Sequence, residues 1–232
     1  VTDIDAVVLD DPVGQSLRGH HAHLARRLGR VTTYLPEVAT FAAVPSEPTN
    51  ADWEDLARLL GPRELADLFS ATATPPETWA PVFSMNGVQM VAGPEPIVGS
   101  APAGAAIVEL GDADVPDMLA LANLTRPGPF WRGTVVLGAY VGIRQNGALV
   151  AMAGERLRPP GWTEISAVCT APHARGRGFA SALVRSVIRR IVDRSERPFL
   201  HVAADNAAAI SMYERLGFET RRRVRFHGYR TP

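Results

Sequence analysis

Apolar residues recur along this chain with two periods, and the switches between them mark its elements. In the first half, short apolar or alternating runs at 5–9, 31–35, 41–44 and 88–91 predict strands. Residues 16–28 carry Leu17, Leu24 and Leu28 at helical spacing and stop at Gly29, which predicts a helix. A second helix is expected over Trp53, Leu56, Leu59 and Leu60, capped by Asn50 and ended by Gly61-Pro62. Residues 63–69 read as one or two further helical turns.

The second half is patterned more sharply. A strand at 106–110 leads into a helix with Val115, Met118, Leu119 and Ala122 on one face, capped by Asp112 or Asp114. Strands at 140–144 and 148–158 flank Asn146-Gly147, a strong hairpin signal, and a third at 162–170 returns after Pro159-Pro160-Gly161. Alternation along that strand sets Trp162, Glu164, Ser166, Val168 and Thr170 on one face and Ile165, Ala167 and Cys169 on the other. Ala180, Leu183, Val184, Val187, Ile188 and Ile191 then form a helical stripe, with Arg185 and Arg189 on the solvated side. A strand at 199–203, a short helix from Asn206 and a final strand or pair over 220–229 complete the chain.

Residues 93–104 are rich in Gly and Pro and cannot hold a regular element, so the expected boundary lies there. It divides an N-terminal α/β domain (1–92) from a linker (93–104) and a C-terminal domain (105–232). The first domain alternates strands and helices as the second does and would be its worn-down copy if the two are related, although no repeat is legible.

Composition narrows the class. The 232 residues are 46% hydrophobic without any run of about 20 apolar residues that would span a membrane. Residues 1–5 are acidic where a secretory signal would be basic, and the single cysteine cannot form an internal disulfide; a reducing cytoplasm is the expected compartment. Net charge is zero, but residues 1–110 hold 6 Arg against 14 acidic residues (−8) and residues 111–232 hold 18 against 10 (+8). The basic half suits a polyanion, or the halves attract each other. The arginines at 221, 222, 223 and 225 read as a solvated face, so nucleic acid is not an expected partner. His20 and His23 lie on neighbouring helical turns and could share a metal, but no third ligand stands at metal-site spacing, so none is expected. Cys169 reads as a small buried hydrophobe.

The densest chemistry lies at 168–218. A strand ends in Val168-Cys169-Thr170, a turn follows at Arg175-Gly176-Arg177-Gly178-Phe179-Ala180-Ser181, and a helix begins. The first amides of a helix are unpaired and carry the positive end of its dipole, so this order builds an anion site. Gly176 and Gly178 keep side chains out of a phosphate's approach. No Gly-Lys-Ser/Thr follows, which excludes a P-loop, and Ser181 stands where a dinucleotide fingerprint has its third glycine.

Arg175-x-x-Gly178-x-Ala180 resembles the pyrophosphate turn of the GNAT superfamily of acyl-CoA-dependent N-acyltransferases, and Asn206-x-x-Ala209-x-x-x-Tyr213-x-x-x-Gly217-Phe218 resembles its C-terminal motif. The resemblance covers residues 105–230. It implies a mixed α/β, mostly antiparallel sheet flanked by helices, with the N-terminal domain as a degenerate half of the same kind or an unrelated α/β unit. It also implies acetyl-CoA as co-substrate without a metal, and a small-molecule or peptide amine as acceptor. Residues 175–181 would cradle the diphosphate, the backbone of Val168, Cys169 and Thr170 would pair with the pantetheine arm, and Asn206 would touch the coenzyme.

Tyr213 would protonate the departing thiolate; otherwise it is a core aromatic beside Leu216. Glu164 and Glu155 are the candidate bases, or else orient the amine, or pair with Arg156 or Arg158. The loop with Phe130 and Trp131 lies over the acceptor site or tucks its aromatics into the core. The rival functions are a non-catalytic acyl-CoA sensor and a structural pairing module, and the acceptor's identity and the choice of monomer or homodimer stay open.

Overall fold

The computed structural model describes residues 4–69, 71–93 and 106–232. Apart from Gly93, the predicted linker at 93–104 lies outside them. A 3-10 segment, Ile4–Asp10, opens the described chain where a strand was expected, and α1 (Pro12–Arg18) follows with Asp11 capping the Gly14 amide at 2.9 Å. Next come a 3-10 turn at Ala22–Leu24, β1 (Ala25–Leu28), β2 (Val31–Tyr34) and β3 (Ala42–Ala43). The helix expected at 16–28 is therefore cut in two. β1 instead pairs with β2 across Gly29-Arg30, with Gly29 at φ +53°.

The helix α2 (Asn50–Leu60) buries Trp53 and Leu56, but its cap is Thr49, whose amide and hydroxyl both donate to Asp52 Oδ2 at 2.7 Å. Gly61 ends it as expected. The helical turns read at 63–69 are in fact β4 (Leu65–Phe69), and β5 is a long strand, Ala80–Ala92.

Downstream the elements follow the pattern: β6 (Ile107–Leu110), α3 (Val115–Thr125), β7 (Tyr140–Gln145), β8 (Ala148–Glu155), β9 (Trp162–Thr170), α4 (Phe179–Asp193), β10 (Arg197–Ala203), α5 (Ala207–Glu214) and β11 (Phe218–Arg230). Asn146 and Gly147 both adopt positive φ (50° and 83°), the geometry a two-residue hairpin requires. In α4 the stripe from Leu183 to Ile191 is buried, with Ala180 half-buried at its start.

The main sheet runs β4-β11-β5-β10-β9-β8-β7-β6 and is antiparallel except between β9 and β10. The boundary drawn at 93–104 therefore does not separate two sheets. β5 is inserted between β11 and β10, pairing with both, and β4 is held by β11. Within residues 4–93, β4 gains only a single bridge, Phe41 to Asp67, with the Asp67 amide donating to Thr40 O at 3.1 Å, so the C-terminal strands supply the ladder partners that satisfy the backbone groups of β4 and β5.

Helices α3 and α4 pack on β8 and β9 over one core. A second core, with Leu9, Leu17, Tyr34 and Phe41, is laid by the N-terminal segment against Trp162, Phe199, Val224 and Phe226 of the sheet. A third lies under α2 around Trp53 and Trp79, whose ring centres are 5.7 Å apart.

Candidate active site

The sheet forks at its one parallel pair. β10 pairs with β9 only from Arg197↔Trp162 to Leu200↔Ile165. Beyond that row β9 continues to Thr170 paired only with β8, and β10 continues to Ala203 paired only with β5. A bulge bends the β9 arm: Ala167 and Val168 face the single Ala153, and Ala167 takes φ +52°, which a non-glycine residue seldom adopts. This interrupts the simple alternation expected along 162–170. It leaves the inner backbone edge of 166–170 without a strand partner, at the position of predicted Val168, Cys169 and Thr170.

The β9 arm delivers the chain to the glycine turn. After a 3-10 turn at Pro172–Ala174, residues Arg175 to Gly178 are exposed, and Gly176 and Gly178 both sit at φ +76°. A Cβ on Gly176 would meet nothing within 4 Å, so that glycine is there for its backbone angle and not for space. Gly178 caps α4 without a side chain, and the first helical bond runs from Ala182 N to Gly178 O at 3.1 Å. The amides of Phe179, Ala180 and Ser181 are thus left for an outside acceptor. Arg175 is steered by its Nε to Thr170 O (3.3 Å), and Arg177 donates to Gln145 Oε1 (2.8 Å) while lying 4.7 Å from the Phe179 ring centre. The Thr170 hydroxyl is buried without a partner on the same arm. Burial raises the Cys169 thiol pKa, which fits a packed and unreactive cysteine.

The β10 arm leads into α5. Asn206 caps that helix, its Oδ1 accepting from Ala209 N at 3.1 Å, so its amide NH₂ is not used by the cap. Tyr213 is buried, 5.9 Å from the Phe218 ring centre, and burial alone lifts its phenol far above the ordinary value. It therefore holds its proton at neutral pH. The two arms of the fork thus carry all the residues expected at a coenzyme site.

The two candidate bases are placed otherwise. Glu164 is fully buried at the head of the fork and takes two bonds from Arg156, Nε to Oε2 at 2.8 Å and Nη2 to Oε1 at 2.7 Å. His201, the first β10 residue past the last β9 pair, lies 2.6 Å away through Nδ1. Burial pushes the Glu164 carboxyl up, but the Arg156 charge and hydrogen bonds and the contact with His201 outweigh it and hold it at about 2. A carboxyl held below its ordinary range in this way is a weak proton acceptor near neutral pH. Glu155 is buried as well, bonded to Arg194 Nη2 at 2.8 Å and to Ala139 N at 3.4 Å. Pairing of Glu164 with Arg156, one of the alternatives open in the sequence, is what the fold adopts.

Sequence reasoning missed the rest of this network. A carboxylate can only accept, so His201 Nδ1 donates to Glu164 and Nε2 is left to accept from Gln89 Nε2 at 3.1 Å. Gln89 also donates to Leu9 O, and its oxygen accepts from Arg221, which reaches Asp10. A lone His among the apolar residues 199–203, and a lone Gln in 88–91, were the available signals. Among the described residues no group of three metal-ligating side chains is brought together. The aromatics of the 126–132 loop point inward at least in part, since Phe130 packs edge-on at 5.7 Å from the Tyr140 ring centre.

Comparison with known proteins agrees with this geometry. The model of the FR47-like protein family matches residues 140–227. A solved GNAT-family protein from Novosphingobium aromaticivorans is 38% identical, with a TM-score of 0.86 over 97% of this chain and 99% of its own. Mycothiol acetyltransferase of Corynebacterium jeikeium is 41% identical over 68 residues, 29% of this chain and 18% of that protein. The N-alpha-acetyltransferase RimI of Mycobacterium tuberculosis is 36% identical over 85 residues, 34% of this chain and 51% of RimI. The chain thus spans about a fifth to a half of the length of these two curated relatives.

Proposed function

The chain belongs to the GNAT family, and from that premise we propose that it is an acetyl-CoA-dependent N-acetyltransferase acting on an amine in a ternary complex. The observation that carries the reading is the fork: a strand edge without a partner, ending in a turn whose helix amides are free. These groups fit the coenzyme's parts. The amides of residues 179–181 would bind diphosphate oxygens, with Arg175 adding charge. The free edge of 166–170 would pair with the amides of the pantetheine arm as a strand pairs with a peptide. Bound there, acetyl-CoA would supply the activated acyl carbon.

Transfer forms a C–N bond between the acceptor nitrogen and that carbon and breaks the C–S bond. Tyr213 gives its proton to the departing sulfur, and the proton lost by the amine goes to water. Neither Glu155 nor Glu164 is assigned as the base. The double commitment of these carboxylates favours one second reading, a non-catalytic acyl-CoA-binding module.

Calorimetry tests the site. Acetyl-CoA and desulfo-CoA should bind alike, at micromolar levels and more weakly as salt rises, because phosphates carry much of the contact. Gly178→Trp should abolish binding, and unchanged affinity in that variant would remove the turn from the site. Thiol release from acetyl-CoA with a panel of amines then separates the enzyme from the binding module.

A further inference from the structure

Beside the head of the fork, two buried polar groups lack partners. Asp67, on β4, is 3% exposed, and its Oδ1 is sealed from solvent without a hydrogen bond. The Tyr140 hydroxyl, on β7, is in the same condition. Both feel the charge of Arg156, whose guanidinium lies 4.6 Å from the Phe69 ring centre and 5.0 Å from that of Phe41. Leaving a buried polar atom without a bond costs about 1–3 kcal/mol, and more for a charged one. Two such atoms in the field of one guanidinium, with the hydroxyl of Thr40, whose carbonyl takes the Asp67 amide, unbonded as well, mark a place where a ligand supplies what the protein does not.

The corner also adjoins the fork. The Tyr140 ring lies across Gly154, where an added Cβ would stand 2.2 Å from it. Gly154 pairs with Ser166, the first β9 residue past the last row shared with β10. Glu164 shares the face of Ser166, and His201 stands opposite on the other arm.

The charges fix the sign of the missing group. Arg156 and Glu164 cancel through their double bond. His201 is neutral in this network, because Nε2 must accept from Gln89. Among the described residues no cation is hydrogen-bonded to Asp67; burial pushes its pKa up to about 7, so near neutral pH it is ionised in part, and a cation beside it would hold it ionised. An ammonium would bring both the hydrogen bond and the opposite charge. A ligand carboxylate would face Asp67 and Glu164 and would have to draw Arg156 away from Glu164.

We propose that Asp67, with the Tyr140 hydroxyl as a neighbouring contact, anchors a positively charged group of the acceptor, so that the acceptor is a small polyamine-like molecule with a second basic nitrogen. This rests on the acetyl-transfer reading. The test uses the full chain saturated with desulfo-CoA and three probes that differ at the distal end: putrescine (cation), butylamine (neutral) and γ-aminobutyrate (anion). Calorimetry should show putrescine binding at least about tenfold more tightly than butylamine, the scale of one charge-assisted bond, with γ-aminobutyrate weakest.

Asp67→Asn keeps the shape and removes the charge. It should erase the preference for putrescine while leaving acetyl-CoA affinity within about threefold, a difference well under one tenfold step in free energy. The three-probe comparison on the unaltered chain stands even if that variant does not fold. Equal binding of the three, tighter binding of γ-aminobutyrate, no binding of any, or a preference that survives Asp67→Asn would each overturn the proposal. Failure of acetyl-CoA to bind at all is a different result, and sinks the acetyl-transfer reading itself.

Discussion

Replacing Arg156 by Met keeps most of the side chain's length and removes its charge. Glu164 would then be a fully buried carboxylate holding only His201 and the long contact from Leu157 N at 3.4 Å. Breaking a buried pair by removing one partner costs about 3–5 kcal/mol. An independent route gives a similar figure: the orphaned carboxyl can escape by taking a proton, and from its ordinary value of 4.5 this costs roughly 3.4 kcal/mol at pH 7, at about 1.36 kcal/mol per unit. Arg156 also covers the Phe41 and Phe69 rings, a contact worth up to about 2 kcal/mol when desolvated and replaced only in part by Met.

The expected loss of stability is thus about 3–5 kcal/mol, or roughly 6–20 °C in melting temperature for a chain of this size. Urea denaturation of Arg156→Met, Glu164→Gln and the double variant, at pH 7 and pH 5, measures it. The deficit of Arg156→Met should shrink at pH 5, where Glu164 protonates at little cost, and the double variant should recover most of it. A loss below about 1 kcal/mol, no greater than a surface pair gives, or one independent of pH would refute the assignment of a buried ion pair at the fork.

If Tyr213 protonates the departing sulfur, Tyr213→Phe should lower kcat by roughly 10²-fold with coenzyme affinity and melting temperature little changed; full turnover would assign that proton to water. Two groups should each withdraw stability on acidification, read from unfolding free energy against pH in the Asp67→Asn background, because Asp67, raised by burial to about 7, adds stability as pH falls through the same range. His21, bonded to Tyr34 and Leu137 O, has its pKa lowered by burial from 6.5 to about 4, so the unfolded chain takes up its proton first and stability falls between those values. Glu164, depressed from 4.5 to about 2, contributes stability that is present above 4.5 and lost on descent to 2. A flat profile from pH 6.5 to 4 in Asp67→Asn, where the opposing titration of Asp67 is gone, would mean that His21 is not buried in its neutral form.

The features legible in the sequence are those fixed by neighbours along the chain. The turn at 175–181 was readable because two glycines and a helix start set its backbone locally, and the 146–147 hairpin because Asn-Gly prefers the angles it takes. The stripe of α4 declared itself by period. Residues 16–28 and 63–69 were misread as helix because their strand partners are remote in sequence or hidden by a short loop. β4 pairs with β11, more than 150 residues downstream, and such pairing overrides weak local propensity. For the same reason no local signal could show that β5 pairs with strands from beyond the predicted domain boundary.

The active-site roles divided along the same line. Coenzyme-binding positions are backbone positions and follow the chain. Glu164, His201, Arg156 and Asp67 take their states from side chains on other strands and from burial beneath the N-terminal segment, and a carboxylate's readiness to accept a proton depends on those neighbours. The sequence identified Glu164 as an acidic residue near a cleft. Only the packing of β9, β10 and the N-terminal layer paired it with Arg156 and His201, and left Asp67 with a buried oxygen that no group among the described residues bonds.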